Sequence, residues 1–153
     1  MTQRYVIDAC SLMRANKNNN LNKAIYSEVW KTLSELFNKG VLLSSSEIFD
    51  EIKDPDLQNW LTPYKKKFIP LTRDIQSKTR EILETYPNLI TIRSIKNSNG
   101  DPFLIATALI YKATVVTEEK IVDVTCKKCK IPNVCKHYNI EYITFNEFID
   151  RVT

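Results

Sequence analysis

The sequence predicts an α/β protein, a three-layer α/β/α sandwich around a mainly parallel sheet. Three observations predict it. Short apolar runs recur at Arg4–Asp8, Val41–Leu43, Ala113–Thr117 and Ile140–Ile143. They lack the apolar–polar alternation of a sheet wetted on one face, as expected for strands covered on both sides. The stretches between them show helical spacing, and residues suited to helix ends bound several of them.

In chain order, Arg4–Asp8 reads as the first buried strand. Ser11–Met13 begins a turn or short helix, and the asparagine-rich Asn16–Asn22 reads as a loop. From Leu21 to Phe37, Ile25, Val29, Trp30, Leu33, Leu36 and Phe37 recur at helical spacing, and Gly40 supplies the C-terminal cap. Val41–Leu43 is the second strand. Ser44 and Glu47 have capping-box spacing for a helix carrying Ile48, Phe49 and Ile52. Asp54-Pro55 opens another helix, with Leu57, Trp60 and Leu61 inward and Pro63 closing it. Phe68–Leu71 is extended. Thr72 caps a helix to about Tyr86 that buries Ile75, Thr79, Ile82 and Leu83, and Pro87 stops it. Leu89–Ile92 extends briefly before a polar loop, Arg93–Gly100. Asp101-Pro102 starts an apolar helix, Ala113–Thr117 is a strand, and a loop runs through the cysteines. Ile140–Ile143 is the last strand. Thr144 and Glu147 form a second capping box, opening the final helix.

Composition narrows the chemistry. The 153 residues suffice for one domain, read here as 1–153, with a real core. No apolar run approaches the roughly 20 residues of a membrane helix. The N-terminus enters a strand directly, so no signal peptide is read and a cytoplasmic protein is expected. A net charge of +4 suits an anionic partner. With two glycines, Gly40 and Gly100, the chain has no glycine-rich phosphate cradle. With one histidine, His137, it has little histidine base chemistry. If the chain is an enzyme, carboxylates and a metal are the remaining machinery.

Four acids stand at the ends of apolar runs: Asp8, Glu51, Asp101 and Glu119. A parallel sheet gathers such ends along one edge. Clustered carboxylates repel one another unless their acidity shifts or a cation binds, and oxygen ligands favour Mg²⁺ or Mn²⁺. Each acid also has a purely structural reading. Asp8 could turn the chain, and Asp101 before Pro102 could be an N-cap. Glu47 competes with Glu51 but has the capping box to occupy it, and Glu118 competes with Glu119. Ser11 could orient a metal-bound water or cap a helix, and Thr117 could hydrogen-bond a carboxylate or such a water.

Tyr5-Val-Ile-Asp8 with Ser11-Leu12, Ser45 with Glu51, Asp101-Pro-Phe-Leu-Ile-Ala-Thr-Ala108 and Val115-Val-Thr-Glu-Glu119 together resemble the PIN domain. The last third, including Lys130-Ile-Pro-Asn-Val-Cys135, resembles the DUF4411 group of PIN-like proteins. The resemblance implies a PIN-like fold and a Mg²⁺- or Mn²⁺-dependent endoribonuclease. Asp8, Glu51, Asp101 and Glu119 fall on its metal-site positions. It further implies a toxin of a bacterial toxin–antitoxin pair, with a cognate antitoxin and a homodimer as partners. The family's usual fourth acid is aspartate, so Glu119 keeps a second reading open: an inactive PIN-like domain that binds RNA or protein.

RNA phosphates would meet positive charge at Arg14, Lys17, Lys96, Lys120 and the run Lys65, Lys66 and Lys67, with Tyr64 and Phe68 available to stack on bases. Cys126, Cys129, Cys135 and His137 are the makings of a structural zinc site, a lesser reading than reduced thiols, and Cys126 with Cys129 also has redox-pair spacing. Cys10 reads as core.

Overall fold

The structure, a computed structural model, describes residues 3–87, 101–120 and 131–153. Five strands form its sheet: β1 (Tyr5–Ile7), β2 (Leu42–Ser45), β3 (Phe68–Ile69), β4 (Thr114–Val116) and β5 (Tyr142–Ile143). Their order is β3-β2-β1-β4-β5, and every pairing is parallel. β1 is central, with Tyr5 in register with both Leu42 and Thr114. All of β1, β2 and β4 is buried, the polar Ser44, Ser45 and Thr114 included, which is why their apolar residues do not alternate with exposed ones.

The helices are α1 (Ala9–Asn18), α2 (Ser27–Lys39), α3 (Ser46–Glu51), α4 (Pro55–Leu61), α5 (Arg73–Thr85), α6 (Asp101–Tyr111), α7 (Ile131–His137) and α8 (Phe145–Val152). Local chemistry sets several ends. Asp54 caps α4 with Pro55 as its first residue, Thr72 caps α5, and Thr144 and Glu147 form the capping box of α8. Gly40 ends α2 at φ 72°, the left-handed conformation that glycine adopts at least cost. None of the helices among the described residues is long and apolar enough to cross a membrane.

The structure corrects several expectations. The turn or short helix read from Ser11 is a ten-residue helix, α1, which begins at Ala9. α2 begins at Ser27, not Leu21, so Ile25 lies outside it in a 3-10 turn and is 81% exposed. The expected Asn16–Asn22 loop is shorter, because α1 runs through Asn18; Asn16 Nδ2 on α1 donates to Asp54, and Asn22 Nδ2 in the loop donates to Asp56, each at 2.9 Å. Ser44 caps nothing. It lies in β2 and its hydroxyl donates to the Ile7 carbonyl at 2.6 Å, so Ser45 is the N-cap of α3. Pro63 does not stop the chain from coiling, since Thr62–Lys67 continues α4 as a 3-10 helix. The presumed cysteine loop contains α7. The readings at Leu89–Ile92 and Arg93–Gly100, with Lys96, fall outside the described residues.

One apolar core fills the layers on both sides of the sheet. α6 is buried at Pro102, Leu104, Ile105, Ala106, Thr107 and Ala108, nearly all round, because it packs on α5 and α7 as well as on β1, β2 and β4. On the β3 side, Phe37 stacks on Tyr64 and Phe68, and Trp60 meets Trp30 edge-on. Ile105 is fully buried beneath the sheet, so Ile105→Ala should cost about 2–5 kcal/mol, read as a lower urea midpoint with an unchanged slope.

Candidate active site at the carboxyl edge of the sheet

Because every strand runs the same way, the residues after them line one edge: Asp8 after β1, Ser46 after β2, Pro70 after β3, Thr117 after β4 and Thr144 after β5. α6 returns the chain to the start of β4, so its own first residue, Asp101, also lies toward this edge.

Asp8 is the N-cap of α1. One carboxylate oxygen accepts the Ser11 N–H at 2.7 Å, and the other accepts the Thr117 hydroxyl at 2.5 Å. The Cys10 thiol donates to the same group, 3.3 and 3.1 Å from its two oxygens. The Asp8 N–H donates to the Val116 carbonyl at 3.1 Å. The residue is 3% exposed. Burial raises its pKa above the ordinary carboxylate value, while the bonds from Thr117, Ser11 and Cys10 act in the opposite sense. Among the described residues no cationic side chain forms an ion pair with it.

Thr117 joins Asp8 to the end of β4: its oxygen also accepts the Glu119 N–H at 3.1 Å. Glu119 Oε2 accepts the N–H of Ile131, the first residue of α7, at 2.9 Å. Glu118 Oε1 accepts the N–H of Phe145, the first residue of α8, at 3.0 Å. Both glutamates therefore place negative charge at helix amino ends. The Ser11 hydroxyl is buried and donates to the Val116 carbonyl at 3.2 Å.

A depression of about 410 Å³ opens beside this group, lined by Cys10, Met13, Arg14, Lys17, Glu118 and Glu119. Arg14 and Lys17 are exposed and, among the described residues, in no ion pair. Cys10 is the residue that sequence reasoning missed. It is half-buried, touches Asp8 and lines the depression, and the signal was its place in the first turn after the N-cap. Burial, then the charge of Asp8, pushes its thiol pKa up.

Glu51 ends α3 and Asp101 begins α6; both are half-buried and have partners of their own. Since Ser45 is the cap, Glu47 is at the second helical position and loses its capping-box role. It lies four residues from Glu51, on the same face of α3. Among the described residues no three Asp, Glu, His or Cys side chains are grouped closely enough to hold a metal ion. Of the candidate acids, Asp8 is a buried carboxylate whose hydrogen-bond donors are all neutral. Glu119 is near enough for its charge to act on Cys10.

Other candidates separate. Cys126 and Cys129 lie outside the described residues. Cys135 and His137 lie two residues apart on α7, about 200° around its axis. Cys135 is fully buried, while His137 is exposed with Tyr86 and Tyr138 edge-on to its ring. These two cannot share one zinc ion. Burial and the charge of Glu119 push the Cys135 thiol up to about 12. Tyr64 and Phe68 belong to the aromatic cluster, where the Tyr64 and Ser34 hydroxyls are bonded and both rings stack on Phe37. Lys67 departs from its neighbours: its ammonium lies 3.8 Å from where a Cβ at Gly40 would stand.

Two outcomes are expected. The folded pKa of Asp8 lies above its unfolded value, so ionised Asp8 costs stability. That cost grows as pH rises through the folded pKa and vanishes below the unfolded one. Asp8→Asn should therefore melt higher than wild type near neutral pH, and the gap should close on acidification, in melting curves from roughly pH 4 to pH 8. Thr117→Val removes a hydrogen bond to a buried carboxylate and should lower unfolding free energy by about 1.5–3 kcal/mol in urea titrations.

Residues 5–153 match the family described as a domain of unknown function, DUF4411. No curated protein matches the chain. Its structure is similar to a chain of the "Crystal structure of VapBC2 from Rickettsia felis bound to a DNA fragment from their promoter", with a TM-score of 0.50 and 16% identity, over 93% of this chain and 98% of that one. At that identity the likeness speaks for the fold, the PIN-like α/β/α arrangement already visible in the parallel sheet. The chain belongs to the DUF4411 family.

Proposed function

We propose that this protein is a Mg²⁺- or Mn²⁺-dependent endoribonuclease, the toxin of a toxin–antitoxin pair. The observation that carries the reading is the company Asp8 keeps. A buried carboxylate without a cationic partner among the described residues stands beside a depression where Arg14 and Lys17 meet Glu118 and Glu119. Acids alone would repel a phosphodiester, and bases alone would only bind one. The two together suit a metal-bridged phosphate.

Asp8 and Glu119 would hold the ion, with Glu51 or Glu47 and Asp101 approaching from the same edge. Bound there, the ion supplies Lewis-acid polarisation of the phosphate and a water acidic enough to attack it. The chain's own residues do the rest. Thr117 fixes the Asp8 carboxylate, and the Ser11 N–H fixes its other oxygen. Arg14 and Lys17 hold the flanking phosphates. The rigid join of β1 to β4 keeps Asp8 and Glu119 in register. The partner expected is a cognate antitoxin, in keeping with the VapBC2 complex to which the fold is similar. A homodimer and a cytoplasmic location complete the reading.

A second reading has its own support. Glu118 and Glu119 each bond a helix amino end, and no three ligands are grouped among the described residues. These favour a PIN-like domain that binds RNA without cutting it.

A cleavage assay on single-stranded RNA with Mn²⁺ separates the two. Wild type should cut, chelation should stop it, and Asp8→Asn or Asp101→Asn should cut at least about 10²-fold more slowly. Mn²⁺ should also raise the melting temperature of wild type but not of Asp8→Asn. Binding without cleavage by wild type would establish the second reading.

A further inference from the structure

The carboxyl edge holds a second opening. A groove of about 910 Å³ lies where β2 and β3 end, with Ser46 and Pro70 at those strand ends and Phe49 and Phe68 lining it. Lys65 and Lys66 are at its border, and Asp50 and Thr62 supply polar groups. Both lysines are exposed and, among the described residues, in no ion pair. The Lys65 ammonium lies 5.3 Å from the centre of the Phe49 ring. Neighbouring strands are about 4.8 Å apart, so the mouth of this groove lies one to two strands, about 5–10 Å, from the end of β1 where Asp8 stands.

We propose that this groove is a nucleobase subsite for a single RNA strand that passes over the acid edge. The inference deepens the nuclease reading and rests on it. The groove pairs an apolar lining with two lysines for the adjoining phosphates. Asp50 selects the occupant. It accepts a hydrogen bond from the exocyclic amine of cytosine, adenine or guanine, a group that uracil lacks. It would repel an acidic peptide, the other partner the lysines could attract. An unpaired strand can splay one base into such a groove, whereas a duplex cannot. The strand then lies with one phosphate at Arg14 and Lys17 and another at Lys65 and Lys66, on either side of Asp8.

The test is fluorescence anisotropy of short oligo(C), oligo(A) and oligo(U) strands on the full chain, with chelator present so that nothing is cut. Wild type should bind oligo(C) and oligo(A) more tightly than oligo(U). Lys65→Ala with Lys66→Ala should weaken all three similarly and lower the salt slope by about 1.4. Asp50→Ala should erase the base preference and leave the salt slope in place. Equal binding by the lysine variant overturns the subsite. So does an acidic peptide that binds through Lys65 and Lys66 while the oligonucleotides do not. If the lysine and Asp50 effects appear but wild type never cuts RNA with Mn²⁺, the subsite stands and the nuclease reading fails. If wild type cuts and the variants bind as it does, the reverse holds.

Discussion

One buried carboxylate ties the centre of this protein together. Asp8 accepts from the start of α1 through the Ser11 N–H and from the end of β4 through the Thr117 hydroxyl, while its own N–H bonds the last residue of β4. An anion at that depth is expensive, and neutral donors offset only part of the cost. The same donors hold the two central strands at one register where their ends diverge. A residue that served only to cap α1 would do so more cheaply as an exposed aspartate or serine.

What surrounds Asp8 follows from topology. Parallel strands deliver their following residues to one edge, so acids far apart in sequence become neighbours of a depression and a groove that open on that edge. The nearly all-round burial of α6 leaves its first residue on a rigid mount. Glu118 and Glu119 are braced differently, each by an N–H at the start of the helix it faces. The edge is thus assembled from strand ends on one side and helix starts on the other.

Much of the fold was legible in the sequence because its determinants are local or doubly covered. Strands buried on both faces must be apolar throughout, and Asp54-Pro55 or Thr144 with Glu147 carry their capping geometry within four residues. Distant partners erased the legibility elsewhere. Ser44 has every local qualification for a cap, but the Ile7 carbonyl claims its hydroxyl, and pairing with Phe68 and Ile69 of β3 carries β2 through Ser44 and Ser45. Ile25 fits the helical period of α2, yet Asn22 in the preceding loop bonds Asp56 and the helix begins later. Cys135 and His137 look like paired ligands until α7 turns them to opposite faces. In the site, the positions of Asp8 and Thr117 were readable from their strand ends. The place of Cys10 depended on how α1 begins, and the parting of Lys67 from Lys65 and Lys66 on the 3-10 turn that carries them.

The central strand has a long wait for one of its neighbours. β1 can pair with β2 early, but the hydrogen bond from Thr117 to Asp8 spans 109 positions in the chain. Such distant pairings form slowly and late. A ribosome making this protein must release all of β4 before the acid edge can close, and α7 and α8, which brace the glutamates, emerge later still. A chain that still lacks β4 and the two helices after it therefore carries no assembled edge.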